Sequence, residues 1–164
     1  MVIPAPINTA LRAAAMMLFV VVIAACSRSA NDNVGLTGVG NTGAGAPGSQ
    51  QEFIVTVGDR VFFETDSSSL TTEAMATLDK QAQWLNQYGN YRIMIEGHAD
   101  ERGTREYNIA LGARRASVVV NYLVSRGVNA QRITSQSFGK ERPVAICNDI
   151  SCWSQNRRAV TVVQ

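Results

Sequence analysis

Residues 91–108 read YRIMIEGHADERGTREYN, and the fold turns on how this stretch is parsed. Tyr91 to Ile95 is an alternating run of β-forming residues, which reads as a strand because successive side chains point to opposite faces. Gly97 ends the run, and a charged turn follows. From about Tyr107 the apolar residues recur three and four apart, through Ile109, Ala116, Val119, Val120 and Leu123. That period predicts a helix to Arg126, stopped by Gly127. A strand that hands over to a helix through a charged turn places that turn where α/β layers commonly hold ligands.

Working outward, Ile133 to Phe138 alternates as another strand, a loop follows, and Ala159 to Val163 reads as the last strand. Upstream, Phe53 to Val57 and Val61 to Phe63 read as short strands. Leu70, Leu78, Ala82 and Leu85 fall at helical spacing, with Thr71 or Thr72 as the N-cap. The order β-α-β-α-β-β predicts an α+β domain over residues 51–164, with helices packed on one face of a small mixed four-stranded sheet.

On a wheel of the second helix, Arg114, Ser117, Asn121 and Ser125 share one narrow arc, the expected solvent face. Arg115 falls instead between Leu111 and Val119, inside the apolar arc. A guanidinium there requires a partner, because a buried unpaired charge is costly. Two readings stand: a structural ion pair or snorkelling side chain, or an anion clamp that offers its planar fork to a carboxylate. Asp100, in the strand-end turn, either caps that turn or receives an ammonium group.

The rest of the chain bounds the function. Residues 1–25 carry one charge, Arg12, ahead of an apolar run from Ala13 to Ala25. That run is shorter than the roughly 20 residues a membrane span needs and fits the core of a secretory signal. It ends in Ile23-Ala24-Ala25-Cys26, which resembles a lipobox, so Cys26 is expected to carry lipid and become the first mature residue. Residues 27–50 include six glycines between Gly35 and Gly48 and show no hydrophobic period. Residues 26–50 are read as the lipidated cysteine and its tether, reaching roughly 27 Å as a coil and at most about 85 Å extended.

Beyond the signal, 14 basic residues face 13 acidic ones, which leaves no electrostatic footprint for nucleic acid. With Cys26 lipidated, Cys147 and Cys152 remain as a pair in an oxidising compartment, either bridged or as free thiols. His98 is the chain's one histidine, so no zinc-type ligand set is expected. There is no Gly-x-Ser-x-Gly motif, and His98 is expected to lie out of the site, as a structural histidine satisfied within the fold. Neither catalysis nor a cofactor is expected.

Gly97-His98-Ala99-Asp100-Glu101-Arg102-Gly103-Thr104-Arg105-Glu106-Tyr107-Asn108 resembles the signature of the OmpA C-terminal-like family, in its branch of peptidoglycan-associated lipoproteins. Asn108, Leu111, Arg115, Ala116 and Val119 fit that family's helix, Asn156-Arg157-Arg158-Ala159 its closing motif, and Phe62 to Asp66 its first binding strand and turn. The resemblance covers roughly residues 52–164. It implies non-covalent binding of the diaminopimelate residue of the peptidoglycan stem peptide. Asp100 would meet the ammonium and Arg115 the carboxylate, with Phe63, Thr65, Asp66 and backbone groups near Ala99 lining the pocket. By the same resemblance Arg158 adds positive charge and Asn108 braces the turn.

Two departures are modest: Glu64 stands where many relatives carry Asp, and Gly112 where some carry Ser. The resemblance further implies an outer-membrane location, a second partner in the periplasmic propeller protein TolB, and a role in cell division within the Tol system. The alternative is an OmpA-like anchoring lipoprotein outside that system. A flagellar stator protein would need a transmembrane helix, and an OmpA-type porin a preceding barrel. Neither is expected from this sequence.

Overall fold

The computed structural model describes residues 45–164. The sheet is built from β1 (Arg60–Phe62), β2 (Ile93–His98), β3 (Ile133–Gly139) and β4 (Arg158–Val163), in the order β1-β4-β2-β3. β2 runs parallel to β3, and β4 lies antiparallel between β1 and β2. Among the described residues three α-helices of more than one turn accompany it: α1 (Thr72–Gln87), α2 (Arg105–Ser125) and the short α3 (Ile150–Asn156). The mixed four-stranded sheet expected from the sequence is therefore present.

Alternation along β2 sends Ile93, Ile95 and Gly97 toward the helices, and Met94, Glu96 and His98 to the other face. Ile93 and Ile95 pack with Val61 and Ala159 of neighbouring strands against Leu78, Ala82 and Leu85 of α1 and Ala116, Val119 and Leu123 of α2. The helices begin where side chains can satisfy free backbone donors. Thr71 accepts from Ala74 N at 3.1 Å, and Thr104 accepts from Tyr107 N at 3.2 Å. α2 ends as the sequence indicates, with Gly127 at φ 91°, a conformation that needs no side chain.

α2 lies directly on β2 because two glycines face each other there. A Cβ on Gly97 would stand 1.9 Å from the Gly112 carbonyl oxygen, and one on Gly112 would stand 2.8 Å from the Gly97 carbonyl oxygen. Arg115 follows Gly112 by three residues, so this close approach seats its side chain at the end of β2.

Two elements differ from the sequence reading. Phe53 to Val57 is not a strand: a single helical turn, Gln50–Glu52, runs into a wide π-helical turn, Phe53–Gly58. Only Phe53 is buried. Its ring lies 5.0 Å from that of Trp84, whose Nε1 donates to Glu52 Oε2 at 2.8 Å. This anchor outweighs the β-propensity of Ile54, Val55, Thr56 and Val57, because propensity is weaker than tertiary packing. The loop before β4 also holds α3, capped by Asp149, whose carboxylate accepts from Ser151 N at 2.8 Å. Seven residues with no apolar period left it unmarked in the sequence.

Cys147 and Cys152 are joined in a disulfide ahead of and within α3, with their Cα atoms 5.7 Å apart. The end of the expected tether is held to the domain, since Tyr91 donates to the Gly48 carbonyl at 2.7 Å and Ser49 caps the first helical turn. Among the described residues no helix is long and apolar enough to cross a membrane. The expected signal of residues 1–25 and the lipid site at Cys26 lie outside the described residues.

Gly97→Ala is expected to destabilise the domain by several kcal/mol, because the added methyl overlaps backbone and forces α2 off β2. Gly89→Ala, where the nearest atom to a Cβ is 3.9 Å away, is expected to change the melting temperature little. Thermal unfolding followed by circular dichroism compares the two.

Candidate functional site

The loop after β1, the turn after β2 and the first turns of α2 enclose a cavity of about 240 Å³. Thr65, Asp66, Asp100, Arg102, Tyr107 and Arg115 are among the residues that line it. Four of the residues singled out from sequence, Thr65, Asp66, Asp100 and Arg115, thus meet in one place. The supporting Asn108 joins them: its Nδ2 donates to the Arg102 carbonyl at 2.8 Å and braces the turn.

Arg115 is fully buried. Its Nε donates to Ser67 O at 2.8 Å, Nη1 to His98 O at 2.8 Å and Nη2 to Glu64 O at 3.1 Å. Its guanidinium carbon stands 5.0 Å from the centre of the Phe63 ring. The partner required by its place in the apolar arc is therefore a set of backbone carbonyls. A guanidinium carries five N–H donors, so two remain beyond these bonds. Burial foremost, then the Arg157 charge, lowers its pKa to about 10 against the pull of Asp100 and Asp66. It stays cationic at neutral pH.

Asp100 is held by a residue the sequence reading passed over. Its Oδ1 accepts from Arg102 Nε at 3.1 Å and Arg102 N at 3.2 Å, and its Oδ2 accepts from Arg102 Nη2 at 2.7 Å. Burial works to raise the Asp100 pKa, but the bonds and charge of Arg102, with Arg157 behind it, outweigh burial and hold the carboxyl below its ordinary value. Arg102 lies over the Trp153 ring at 4.3 Å, and Trp153 Nε1 donates to Glu101 Oε1 at 3.0 Å. Asp66 adopts φ 56°, a left-handed conformation uncommon for a residue with a side chain, and its carboxylate accepts from the Tyr107 hydroxyl. That contact raises the Tyr107 pKa.

The remaining assignments shift. Phe63, expected to line the pocket, is buried against Arg115 and is not among the residues that line this cavity. Ala99 is buried, and its N–H is committed to Gly139 O at 2.8 Å, so it offers no donor to a ligand. Arg158 does not add charge to this site. It sits on the open sheet face, where Nη2 donates to Arg142 O at 3.1 Å. Its neighbour Arg157 turns inward instead, with Nη1 3.5 Å from Asp100 Oδ2 and Nε on Phe63 O at 3.0 Å. Adjacent residues at a strand start face opposite ways, so the one-residue choice decides which arginine serves the site.

His98 also differs from its reading as a satisfied histidine. It points away from the cavity and stacks on Phe138 at 5.6 Å, but neither ring nitrogen has a hydrogen-bond partner among the described residues. Burial, then Arg158 and Arg142, pushes its pKa down to about 4.

Sequence signals existed for the missed residues. Arg102 lies two positions after Asp100, the spacing of a carboxylate that bonds the backbone two residues on. Tyr107 and Arg157 lie within motifs already quoted.

Residues 62–157 match the model of the OmpA family. A peptidoglycan-associated lipoprotein from Rhizobium meliloti (strain 1021) is 68% identical over 133 residues, 81% of this chain and 74% of that protein. One from Pseudomonas putida is 45% identical over 153 residues, 88% of this chain and 92% of that protein. The crystal structure of the peptidoglycan-associated lipoprotein from Burkholderia pseudomallei superposes with a TM-score of 0.63 at 43% identity, covering 65% of this chain and 90% of that one. The C-terminal domain of Helicobacter pylori MotB shares the fold, with a TM-score of 0.61 at 22% identity.

The depressed His98 pKa carries a pH signature. Its folded value of about 4 lies below the ordinary 6.5, so between these values the unfolded chain binds more protons. Stability is expected to be fully present above pH 6.5 and to fall as pH drops toward 4. His98→Gln, which cannot titrate, is expected to flatten the upper half of that slope in urea unfolding across the window. An unchanged slope would assign it to other groups.

Proposed function

Because the chain belongs to the OmpA family, and within it to the peptidoglycan-associated lipoproteins, we propose that it grips the diaminopimelate residue of the stem peptide in the cavity between Asp100 and Arg115. It is a peptidoglycan-binding lipoprotein and not an enzyme. The observation that carries the finer reading is that an acid and a base of fixed geometry line one amino-acid-sized cavity. The free end of diaminopimelate carries an ammonium and a carboxylate on one carbon, and so needs one partner of each sign.

The geometry adds a step. Asp100 already accepts from Arg102, whose side chain is 42% exposed and can leave toward solvent. The ligand ammonium displaces that guanidinium or shares the carboxylate with it. Arg115 is held in place by its three bonds to carbonyls, and the ligand carboxylate takes its two remaining donors where the side chain lines the cavity. Thr65 and the Asp66–Tyr107 contact form the rim across which the ligand enters. Binding is non-covalent, and many molecules on a continuous mesh supply avidity.

We further propose that Cys26 carries the lipid and that the domain works in the periplasm beneath the outer membrane, since Ser27 follows the cysteine and no aspartate stands there to retain it at the inner membrane. In this reading TolB is a second partner at an overlapping surface. The lipoprotein then alternates between the wall and the envelope machinery that draws the outer membrane inward at division.

Asp100→Asn, which keeps the shape and removes the charge, is expected to reduce sedimentation with diaminopimelate-type sacculi about tenfold or more, since a charge-assisted hydrogen bond contributes about 1.5–3 kcal/mol. Arg115→Lys keeps the charge and loses the fork, with a similar loss expected. Arg115→Ala would leave three carbonyls without donors and confound folding with binding. Arg114→Ala, on the solvent face, is expected to sediment like the unaltered protein. Sacculi carrying lysine in place of diaminopimelate lack the second carboxylate and are expected to bind less. Equal sedimentation of Asp100→Asn and the unaltered chain would reject the mechanism. For TolB, soluble stem peptide is expected to lower the amount recovered in a pull-down. Recovery that stays constant would reject a shared surface.

A further inference from the structure

A second, larger cleft, of about 460 Å³, runs along the outer edge of β1. Five consecutive residues, Arg60 to Glu64, line it. The first turns of α1, including Glu73 and Thr77, wall it on one side, and Ser154 and Gln155 of α3 on the other. The three residues of β1 alternate in facing, so they and the two that follow can all line one cleft only if the backbone edge faces that cleft.

The hydrogen-bond pattern agrees. Thr161 N donates to Asp59 O at 2.7 Å and Phe63 N donates to Arg157 O at 2.9 Å, while Val61 lies opposite Ala159. Antiparallel pairing alternates, so the odd-numbered residues bond to β4 and the N–H and C=O groups of Arg60 and Phe62 face outward. Among the described residues nothing bonds them. An edge with unpaired donors and acceptors is a template for one more extended chain, and here that edge lies between helical walls.

The cleft is also continuous with the site already described. Phe63, Glu64 and Arg157 line the larger cleft, and Thr65, Asp66 and Asp100 the smaller cavity, so the partition is one layer of residues thick. Arg157 is that partition. It is buried, points Nη1 at Asp100, and also lines the cleft, with donors left over beyond its bonds to Phe63 O and Asp100.

We propose that this cleft is a second subsite, which takes an extended, carboxylate-bearing arm of the same stem peptide along the free edge of β1, with Arg157 as the cation for its carboxylate. The inference rests on the wall-binding reading. Both arms that leave a diaminopimelate residue are peptidic and carry carboxylates, and the outward groups of Phe62 pair with the main-chain amide of whichever arm enters.

The test is competition for sedimentation of the full-length chain, in detergent, with diaminopimelate-type sacculi. Free diaminopimelate and the complete stem pentapeptide are the two competitors. The pentapeptide is expected to displace the unaltered chain at about tenfold lower concentration or better, as a second set of contacts requires. Gln155→Trp, which fills the cleft from α3, is expected to bring the two competitors close to parity by weakening the pentapeptide alone. Glu73→Trp does the same from the α1 wall, and circular dichroism identifies whichever variant folds as the unaltered chain does. Equal potency of the two competitors on the unaltered chain overturns the subsite. A potency ratio unmoved by the folded variants overturns it too, as it would if the edge instead served a protein segment. If neither competitor displaces the unaltered chain, the wall-binding reading itself falls, and Asp100→Asn then sediments normally, which tells the two failures apart.

Discussion

A guanidinium with no exposed surface ties the site together. Arg115 reaches from α2 to the carbonyls of Glu64 and Ser67 in the loop after β1, and to that of His98 at the end of β2. Three segments far apart in sequence thus depend on one side chain for their relative placement. A buried cation is costly unless its donors are met, and here backbone carbonyls meet them in fixed directions. The same bonds that stabilise the loop also immobilise the fork, so any anion that meets it meets a preorganised donor set.

That arrangement presupposes the glycine contact between β2 and α2. A methyl at Gly97 would meet the Gly112 carbonyl and push the helix away from β2, and with it the base of Arg115. Sheet geometry and site geometry are therefore one constraint. Asp100 belongs to it through the turn that continues β2, and Arg157 through the start of β4, where β1 and β4 pair. Burial, which raises a carboxyl and lowers a guanidinium, acts on both Asp100 and Arg115; the arginines around Asp100 outweigh it there, and Arg115, lowered to about 10, is still cationic at neutral pH.

Much of this was legible in the residues. The period of α2 separated Arg115 from Arg114, and the structure places the first inside and the second outside. Strand alternation located β2, and apolar periods, with a capping threonine for α1 alone, located α1 and α2 to within a few residues. The failures have physical causes. Ile54 to Val57 carry strand propensity, but the burial of Phe53 against Trp84 governs that segment. α3 is too short to show a period. Arg157 and Arg158 are identical in type and adjacent, so only the register of β1 on β4 decides which faces Asp100, and register is a property of the assembled sheet. Arg102 stood in plain view beside Asp100 and was read as part of a charged turn.

The ion pair between Arg102 and Asp100 has a mechanical consequence. On the wall-binding reading, a ligand ammonium that displaced Arg102 from Asp100 would replace one cation with another, so the number of ion pairs at that carboxylate would be the same before and after. Exchange of this kind proceeds without ever leaving the carboxylate bare, and the returning guanidinium, resting on Trp153, helps eject what it replaced. On the wall-binding reading each grip can then be released by exchange at one carboxylate, without a bare charge to slow it, so individual grips are expected to be brief. A membrane held by many brief grips resists being pulled off everywhere at once, yet creeps along the wall under steady load, as a hook-and-loop strip does when its hooks are soft.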